Sequence, residues 1–139
     1  MSIYLDASVL VPVFLSDEFT DRSENLLVSD AKLLISDFAA AEFSAVVAKA
    51  FRKKLITGVT ASSIFAGFDD IRGDFSVAIF ATERDLSRAE ELVRMLETKL
   101  RAPDALHLAI AERLRAKLAT FDQTLAEAAR TVGVTLAEL

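Results

Sequence analysis

The sequence predicts an α/β fold in which helices flank a mostly parallel central sheet. Short apolar segments alternate with longer segments whose apolar residues recur every three or four positions, which is the pattern of strands followed by helices. The 139 residues are 53% hydrophobic, which is enough for a substantial core, and we assign residues 1–139 to a single domain. The chain has no cysteine, so disulfides and thiolate zinc sites are excluded.

The first half of the chain predicts two strands and four helices. Residues 3–6 are apolar and then stopped by an acid, as in a short buried strand, and residues 33–36 form a second apolar strand. Residues 38–53 carry apolar side chains at three- and four-residue spacing, which indicates a long helix. The other helices are predicted over residues 7–15, over 19–29 with Ser16 or Thr20 as the cap, and over 60–71 with Thr60 as the cap and Gly73 as the break.

The second half predicts three further strands and three helices. Residues 75–80 are apolar and suit a strand, and residues 83–100 suit a helix with one apolar face formed by Leu86, Ala89, Leu92, Val93 and Leu96. Pro103 fits the first turn of a helix that runs to residue 114. The last predicted elements are a strand over residues 117–121, a helix over 124–131 and a short strand over 134–136.

Four acidic residues lie where the predicted elements have little structural need for charge. Asp6 and Asp122 close apolar strands, Glu42 interrupts an apolar helical run, and Asp104 begins an apolar helix. Ligands of open α/β sheets bind beyond the carboxyl ends of the strands, so these four positions can converge on one cleft. Acids in apolar settings need a compensating partner, and Mg²⁺ and Mn²⁺ prefer carboxylate oxygens. The pattern therefore favours a shared divalent-metal site.

Each acid also has a structural explanation. Asp6 and Asp122 can cap the helices that follow them, Asp104 can complement a helix dipole, and Glu42 can face solvent. Capping does not explain why acids recur at successive carboxyl edges of the sheet. Cations held by such acids can activate water and stabilise the leaving oxygen of a phosphodiester without a histidine base. We accordingly interpret the single histidine, His107, as a packing or supporting residue.

Other α/β chemistries lack their motifs in this sequence. A phosphatase with an aspartyl nucleophile needs a second Asp two residues after the first, where this chain has Ser8, and a phosphoreceiver needs paired acids after the first strand. None of the 4 glycines lies near Asp6, which excludes a P-loop or dinucleotide-binding turn. The Gly-x-Ser-x-Gly turn of serine hydrolases is also missing. The net charge of −5 argues against a passive nucleic-acid binder, which usually has a basic face. This argument weakens if four of the acids belong to a metal site.

Three segments resemble motifs of a known family. Residues 4–11 (YLDASVLV) look like the opening strand of a PIN domain, and residues 101–109 (RAPDALHLA) resemble the central motif of its VapC toxin branch. Residues 120–125 (TFDQTL) are similar to the closing motif, and Glu42 falls where the family places its second acid. The resemblance covers essentially the whole chain and implies a PIN-like α/β/α sandwich.

The resemblance also implies a function and a set of site residues. It implies a metal-dependent endoribonuclease that is the toxic half of a type II toxin–antitoxin pair and uses Mg²⁺ or Mn²⁺. Carried over by position, the metal ligands or water-positioning acids are Asp6, Glu42, Asp104 and Asp122, and the secondary polar contacts are Ser8 and Thr120. Arg101, beside Asp104, is a candidate partner for a phosphate or an acid.

Partners and location are expected on similar grounds. The family implies a homodimer, an RNA substrate and a small VapB-type antitoxin whose basic tail lies in the acidic cleft. The sequence shows no membrane span and no signal peptide, so we expect a cytoplasmic protein. The alternative function is a non-catalytic binding module whose acids hold a basic segment of a partner.

Overall fold

The computed structural model describes residues 1–75 and 77–139. Within them, three strands form one parallel sheet, namely β1 (Ile3–Leu5), β2 (Leu33–Leu34) and β3 (Lys117–Ala119), in the order β2-β1-β3. Single parallel bridges add Ile79 beside Ser36 and Leu136 beside Leu118. The prediction of an α/β fold with a mostly parallel sheet is confirmed.

Helices make up most of the rest of the described chain. They are α1 (Ala7–Phe14), α2 (Thr20–Leu27), α3 (Asp37–Arg52), α4 (Gly58–Asp74), α5 (Glu83–Arg94), α6 (Ala102–Leu114) and α7 (Gln123–Val132), with a 3₁₀ turn over Leu96–Thr98. None of the helices within residues 1–75 and 77–139 has the length and apolar character needed to cross a membrane.

The alternation of side chains along β1 divides the core into two layers. Tyr4 belongs to a buried cluster formed with α5, α6 and α7, whereas Leu5 belongs to a second cluster formed with α1 to α4. Successive residues of a strand point to opposite faces of the sheet, so the two clusters lie on opposite faces. The strand neighbours follow the same division, since Leu34 and Leu118 join the first cluster and Leu33 and Ala119 join the second.

The predicted limits of α4 were wrong at both ends. The cap is Thr57, whose side chain accepts a hydrogen bond from the backbone N–H of Thr60, so the helix begins at Gly58. Gly73 lies inside the helix, and a Cβ added there would meet no atom within 4 Å. A glycine on such an open helical face costs only about 1 kcal/mol relative to alanine, which explains why it does not end the helix.

The predicted helix over residues 83–100 is also shorter than expected. It ends at Arg94, and the hydroxyl of Thr98 donates hydrogen bonds to the carbonyls of Leu92 and Met95 at 3.2 and 2.8 Å. These bonds satisfy carbonyls at the helix end and turn the chain away. Leu96 consequently leaves the predicted apolar face and is exposed.

Two predicted strands are reduced to single bridges, and one predicted cap is replaced. In residues 75–80 only Ile79 pairs, Phe80 is exposed, and Ser76 lies outside the described residues. In residues 134–136 only Leu136 pairs. The helix α2 begins after Phe19 without a side-chain cap, and the hydroxyl of Thr20 donates to the carbonyl of Pro12 and accepts the backbone N–H of Asp17.

Candidate active site

Asp6 and Asp122 lie at the carboxyl edge of the sheet and cap the helices that follow. Asp6 directly follows β1, and its Oδ1 accepts a hydrogen bond of 2.6 Å from the backbone N–H of Ser8 at the start of α1. Asp122 follows β3 closely, and its Oδ1 accepts a hydrogen bond of 2.9 Å from the backbone N–H of Leu125 in α7. The prediction that Asp6 and Asp122 can cap the helices that follow them is therefore confirmed.

The fold brings all four predicted acids to one cleft. Asp6, Glu42, Asp104 and Asp122 line a depression of about 310 Å³. Asp104 comes from the first turn of α6, after Pro103, and Glu42 comes from the second turn of α3. Acids that are 116 positions apart in the sequence thus face the same space, which capping alone does not require.

Two hydroxyl groups hold the Asp6 carboxylate. Ser8 donates its hydroxyl to Asp6 Oδ1 at 2.5 Å, and Thr120 donates its hydroxyl to Asp6 Oδ2 at 2.5 Å. The same hydroxyls accept the backbone N–H groups of Phe121 and Asp122, at 2.9 and 3.0 Å. Ser8 and Thr120 therefore tie the end of β3 to the acid at the end of β1.

Burial raises the pKa of Asp6, and the hydrogen bonds from Ser8 and Thr120 only partly oppose this. The side chain is 4% exposed, so its ionised form has lost most of its hydration. A nearby cation favours ionisation of such a carboxyl group. Asp6 is therefore a buried carboxyl group whose ionised form a nearby cation would favour.

Glu42 is held by the single histidine of the chain. Its Oε2 lies 2.5 Å from Nε2 of His107, and Nδ1 of His107 lies 2.8 Å from the hydroxyl of Tyr4. His107 is 2% exposed and packs against the ring of Phe38, with 4.8 Å between the ring centroids. These contacts agree with the interpretation of His107 as a supporting residue.

Sequence reasoning missed two polar residues of this network, namely Tyr4, which contacts His107, and Ser36, which contacts Tyr4. Tyr4 and Ser36 are fully buried, and their hydroxyl oxygens lie 2.8 Å apart. Tyr4 is the only tyrosine of the chain and stands inside an apolar strand. A buried tyrosine usually finds a hydrogen-bond partner, so this position carried a usable signal, although not the identity of the partner.

Arg101 is the basic side chain at the cleft. Its Nε lies 3.3 Å from Oδ2 of Asp104, and its side chain is 79% exposed. An exposed ion pair of this kind contributes little to stability. It does show that the cleft accommodates a guanidinium group beside a carboxylate.

Comparison with known proteins identifies the family. The family model described as "PIN domain" matches residues 3–131. The chain belongs to the PIN-domain family. Among curated proteins, none matches the sequence significantly.

Solved structures share the PIN fold over the full chain. FitAcB from Neisseria gonorrhoeae superposes with a TM-score of 0.77 at 20% identity, covering 98% of this chain and 96% of that one. VapC20 from Mycobacterium tuberculosis, described as a sarcin-ricin loop cleaving toxin, gives 0.74 at 19% identity, covering 99% and 100%. VapBC2 from Rickettsia felis, bound to a DNA fragment from its promoter, gives 0.68 at 21% identity, covering 100% and 99%. At these identities the likeness establishes the fold, and the prediction of a PIN fold is confirmed.

The carboxylates of this PIN domain are of the kind that bind a hard divalent cation, but they do not form a complete set of ligands without water. Among the described residues, no three acidic or histidine side chains are grouped closely enough to hold a metal ion by themselves. Each of Glu42, Asp104 and Asp122 nevertheless has one carboxylate oxygen bonded within the protein and a second with no hydrogen bond from the described residues. Mg²⁺ keeps several water ligands and is commonly held through only one or two carboxylates, so widely spaced oxygens suit it.

Proposed function

We propose that this PIN domain is an endoribonuclease that depends on Mg²⁺ or Mn²⁺ and is the toxin of a toxin–antitoxin pair. The observation that carries the proposal is the convergence of Asp6, Glu42, Asp104 and Asp122 on one cleft at the carboxyl edge of the sheet. RNA as the substrate is supported by the likeness to VapC20, which is described as a toxin that cleaves the sarcin-ricin loop. Membership in the PIN-domain family supports the nuclease class.

The four acids would have different roles in the hydrolysis of a phosphodiester. The free carboxylate oxygens of Glu42, Asp104 and Asp122 would hold the cation, in part through its water ligands, and Asp6 would add negative charge to the same cleft. Such a cation would supply polarisation of the phosphate and would make water more acidic. A water oxygen forms a bond to phosphorus as one P–O bond to ribose breaks, a cleft carboxylate accepts the water proton, and the departing oxygen takes up a proton from solvent.

Ser8 and Thr120 position Asp6 through their hydroxyl groups. Their hydroxyl hydrogens point to the two oxygens of Asp6, and their oxygen atoms are held by backbone N–H groups at the end of β3. This arrangement fixes the Asp6 carboxylate relative to Asp122. We expect their loss to reduce activity less than the loss of any of the four acids.

Control by an antitoxin belongs to the same proposal. Several structures with this fold are complexes, including VapBC2 from Rickettsia felis and a toxin–antitoxin complex from Klebsiella pneumoniae. A cationic tail would neutralise the acids and displace the metal, and arginine suits this best because its guanidinium pairs two carboxylate oxygens at once. We place the toxin in the cytoplasm, where RNA and the antitoxin would be present.

The homodimer also belongs to the proposal. An apolar groove of about 510 Å³ between α5 and α6 contains Leu86, Ala89, Val93, Pro103 and Leu106. Leu86 is 60% exposed and belongs to this mostly apolar groove, which is therefore a candidate surface for a second copy of the chain. Sedimentation of the purified chain at micromolar concentration tests whether it forms a dimer.

A second function is favoured by the contact between Arg101 and Asp104. This ion pair shows that the cleft accepts a guanidinium group, so the acids are also suited to holding a basic segment without any catalysis. A module of this kind would bind its partner equally well with Mg²⁺ absent, whereas the nuclease would exchange the partner for metal and RNA.

Cleavage of structured RNA by the purified, partner-free chain tests the proposal. Cleavage is expected with Mg²⁺ or Mn²⁺, and is expected to stop with EDTA and in Asp104→Asn. The matched control is Asp70→Asn, because Asp70 is exposed on α4 and does not line the cleft, so this variant should cut like the wild type. An Asp104→Asn protein that cuts RNA at the wild-type rate would contradict the assignment of the site.

A further inference from the structure

A buried network of hydrogen bonds connects the sheet to Glu42. It consists of Ser36, Tyr4, His107 and Glu42, and we call it the Tyr4 network. The Tyr4 hydroxyl lies 2.8 Å from Ser36 Oγ and 2.8 Å from His107 Nδ1, and His107 Nε2 lies 2.5 Å from Glu42 Oε2. Ser36, Tyr4 and His107 are each at most 2% exposed, so water does not compete for these bonds. Glu42 and His107 line the cleft, whereas Tyr4 and Ser36 do not.

The chemistry of the two ends fixes the direction of every bond. At one end, the backbone N–H of Ala39 donates to Ser36 Oγ at 3.0 Å, which leaves the Ser36 hydroxyl hydrogen to be donated onward. At the other end, the carboxylate of Glu42 accepts, so the hydrogen that joins it to His107 lies on Nε2. The phenol of Tyr4 carries its hydrogen at neutral pH.

One arrangement of hydrogens, with Nε2 of His107 as the donor to Glu42, satisfies the whole network. Ser36 donates to Tyr4, Tyr4 donates to Nδ1 of His107, and Nε2–H donates to Glu42. If the hydrogen were on Nδ1 and not on Nε2, Nδ1–H and the Tyr4 hydroxyl would compete as donors along the network. Nε2 and the Glu42 carboxylate would then be two acceptors in contact, with no hydrogen between them. Unmatched polar groups in a buried site are costly, so the network selects the first arrangement.

We propose that Tyr4 and His107 are positioning residues, which hold Glu42 by its Oε2 atom so that Oε1 is presented to a divalent cation in the cleft. This inference rests on the proposed function only in taking Glu42 as a metal ligand. Carboxylate ligands are commonly oriented by groups behind them, and loss of such a group lowers metal affinity by about 10- to 100-fold. The tilted ring of Phe38 against His107 restricts rotation of the imidazole and keeps Nε2 aimed at α3.

Nitrogen-15 NMR of the histidine ring in the metal-free protein gives the first test, and it needs no activity. His107 is the only histidine, so its two ring nitrogens are assigned without ambiguity. The expected spectrum has a hydrogen on Nε2 in the wild type and a mixture of hydrogen positions in Tyr4→Phe. A wild-type spectrum of the Nδ1–H tautomer would overturn the proposal, because Nε2 could then not donate to Glu42.

Calorimetric titration with Mn²⁺ alone gives the second test. Tyr4→Phe and His107→Leu should bind Mn²⁺ about 10- to 100-fold more weakly than the wild type. His107→Gln should recover much of this loss, because the glutamine amide offers an N–H close to the position of Nε2. The matched control is Thr98→Val, which removes a buried hydroxyl bonded to Leu92 and Met95 outside the cleft and should lower the melting temperature with Mn²⁺ affinity unchanged.

The outcomes separate this inference from the proposed function. A Tyr4→Phe protein that binds Mn²⁺ as tightly as the wild type would overturn the inference, as would a Glu42→Gln protein with wild-type affinity. The wild type could bind Mn²⁺ through Glu42 more tightly than Tyr4→Phe does and yet cut no RNA. That result would support the inference and contradict the proposed nuclease function.

Discussion

Asp122 allows the capping role of an acid to be separated from its role in the cleft. Its Oδ1 caps α7 through the N–H of Leu125 at 2.9 Å, and it lines the cleft together with Asp6, Glu42 and Asp104. Asparagine caps a helix about as well as aspartate, whereas alanine does not cap. Asp122→Asn therefore removes the charge and keeps the cap, and Asp122→Ala removes both.

The two substitutions should differ in stability and agree in activity. Loss of a cap costs about 1 kcal/mol. Unfolding entropy is about 2 cal/mol/K per residue, so this loss lowers the melting temperature of a 139-residue chain by about 3 °C. Asp122→Asn should shift it by less than about 1 °C. Both variants should lose about 100-fold or more in RNA cleavage, since a lost ligand removes several kcal/mol of transition-state stabilisation.

Thr57→Ala supplies the matched control for this comparison. Thr57 caps α4 through the N–H of Thr60 and does not line the cleft. Its replacement should lower the melting temperature by about as much as Asp122→Ala and leave cleavage unchanged. Calorimetry of the metal-free proteins and initial rates of RNA cleavage measure the two effects. If Asp122→Asn cleaves at the wild-type rate while Asp122→Ala is merely less stable, Asp122 is only a cap and the site loses one of its four acids.

Three further predictions concern metal, pH and control. Millimolar Mn²⁺ should raise the melting temperature of the wild type much more than that of Asp104→Asn, because a ligand that binds only the folded state stabilises that state. Equal shifts in the two proteins would show that Mn²⁺ does not bind at Asp104. Arg113 holds the pKa of buried Asp85 below its usual range against the effect of burial, so this pair stabilises the fold above about pH 4 and stops doing so as pH falls through the lowered pKa. In urea at pH 7, Asp85→Asn should therefore be about 2–4 kcal/mol less stable than the wild type, with the gap closing below about pH 4; a constant gap would contradict this. Expression of the chain alone should arrest growth, and co-expression of the adjacent small open reading frame should restore it unless the arginine of the partner's tail is changed to alanine; harmless expression with all four acids intact would count against a toxin.

The acids of the cleft were predictable because their signals are local. Asp6 and Asp122 close short apolar segments, and Asp104 follows a proline that suits the first turn of a helix. In a parallel sheet such positions meet at one edge, so the pattern of elements was enough to bring them together. Their roles in binding metal remain a prediction, because carboxylates at this edge also cap helices.

The missed features depend on contacts that no local pattern encodes. Thr57 and Thr60 are both acceptable caps by residue type, and the structure uses Thr57. The end of α5 at Arg94 depends on the hydroxyl of Thr98 reaching back to carbonyls of the preceding turn. The bonds of Tyr4 to Ser36 and His107 span 32 and 103 positions, and only the folded chain specifies them.

The capping of helices and the clustering of acids have one physical origin. A parallel strand that turns directly into a helix places the helix N-terminus at the carboxyl edge of the sheet, and that terminus carries a partial positive charge. Asp6 and Asp122 cap α1 and α7, and Asp104 lies in the first turn of α6, so each gains about 0.3–1 kcal/mol from its own helix. Glu42 lies in the second turn of α3, beyond the reach of this effect, and it is the acid that is bonded to His107. Three carboxylates are thus stabilised by helix termini and the fourth by an imidazole, which lets the protein keep four acids around one cleft before any cation binds.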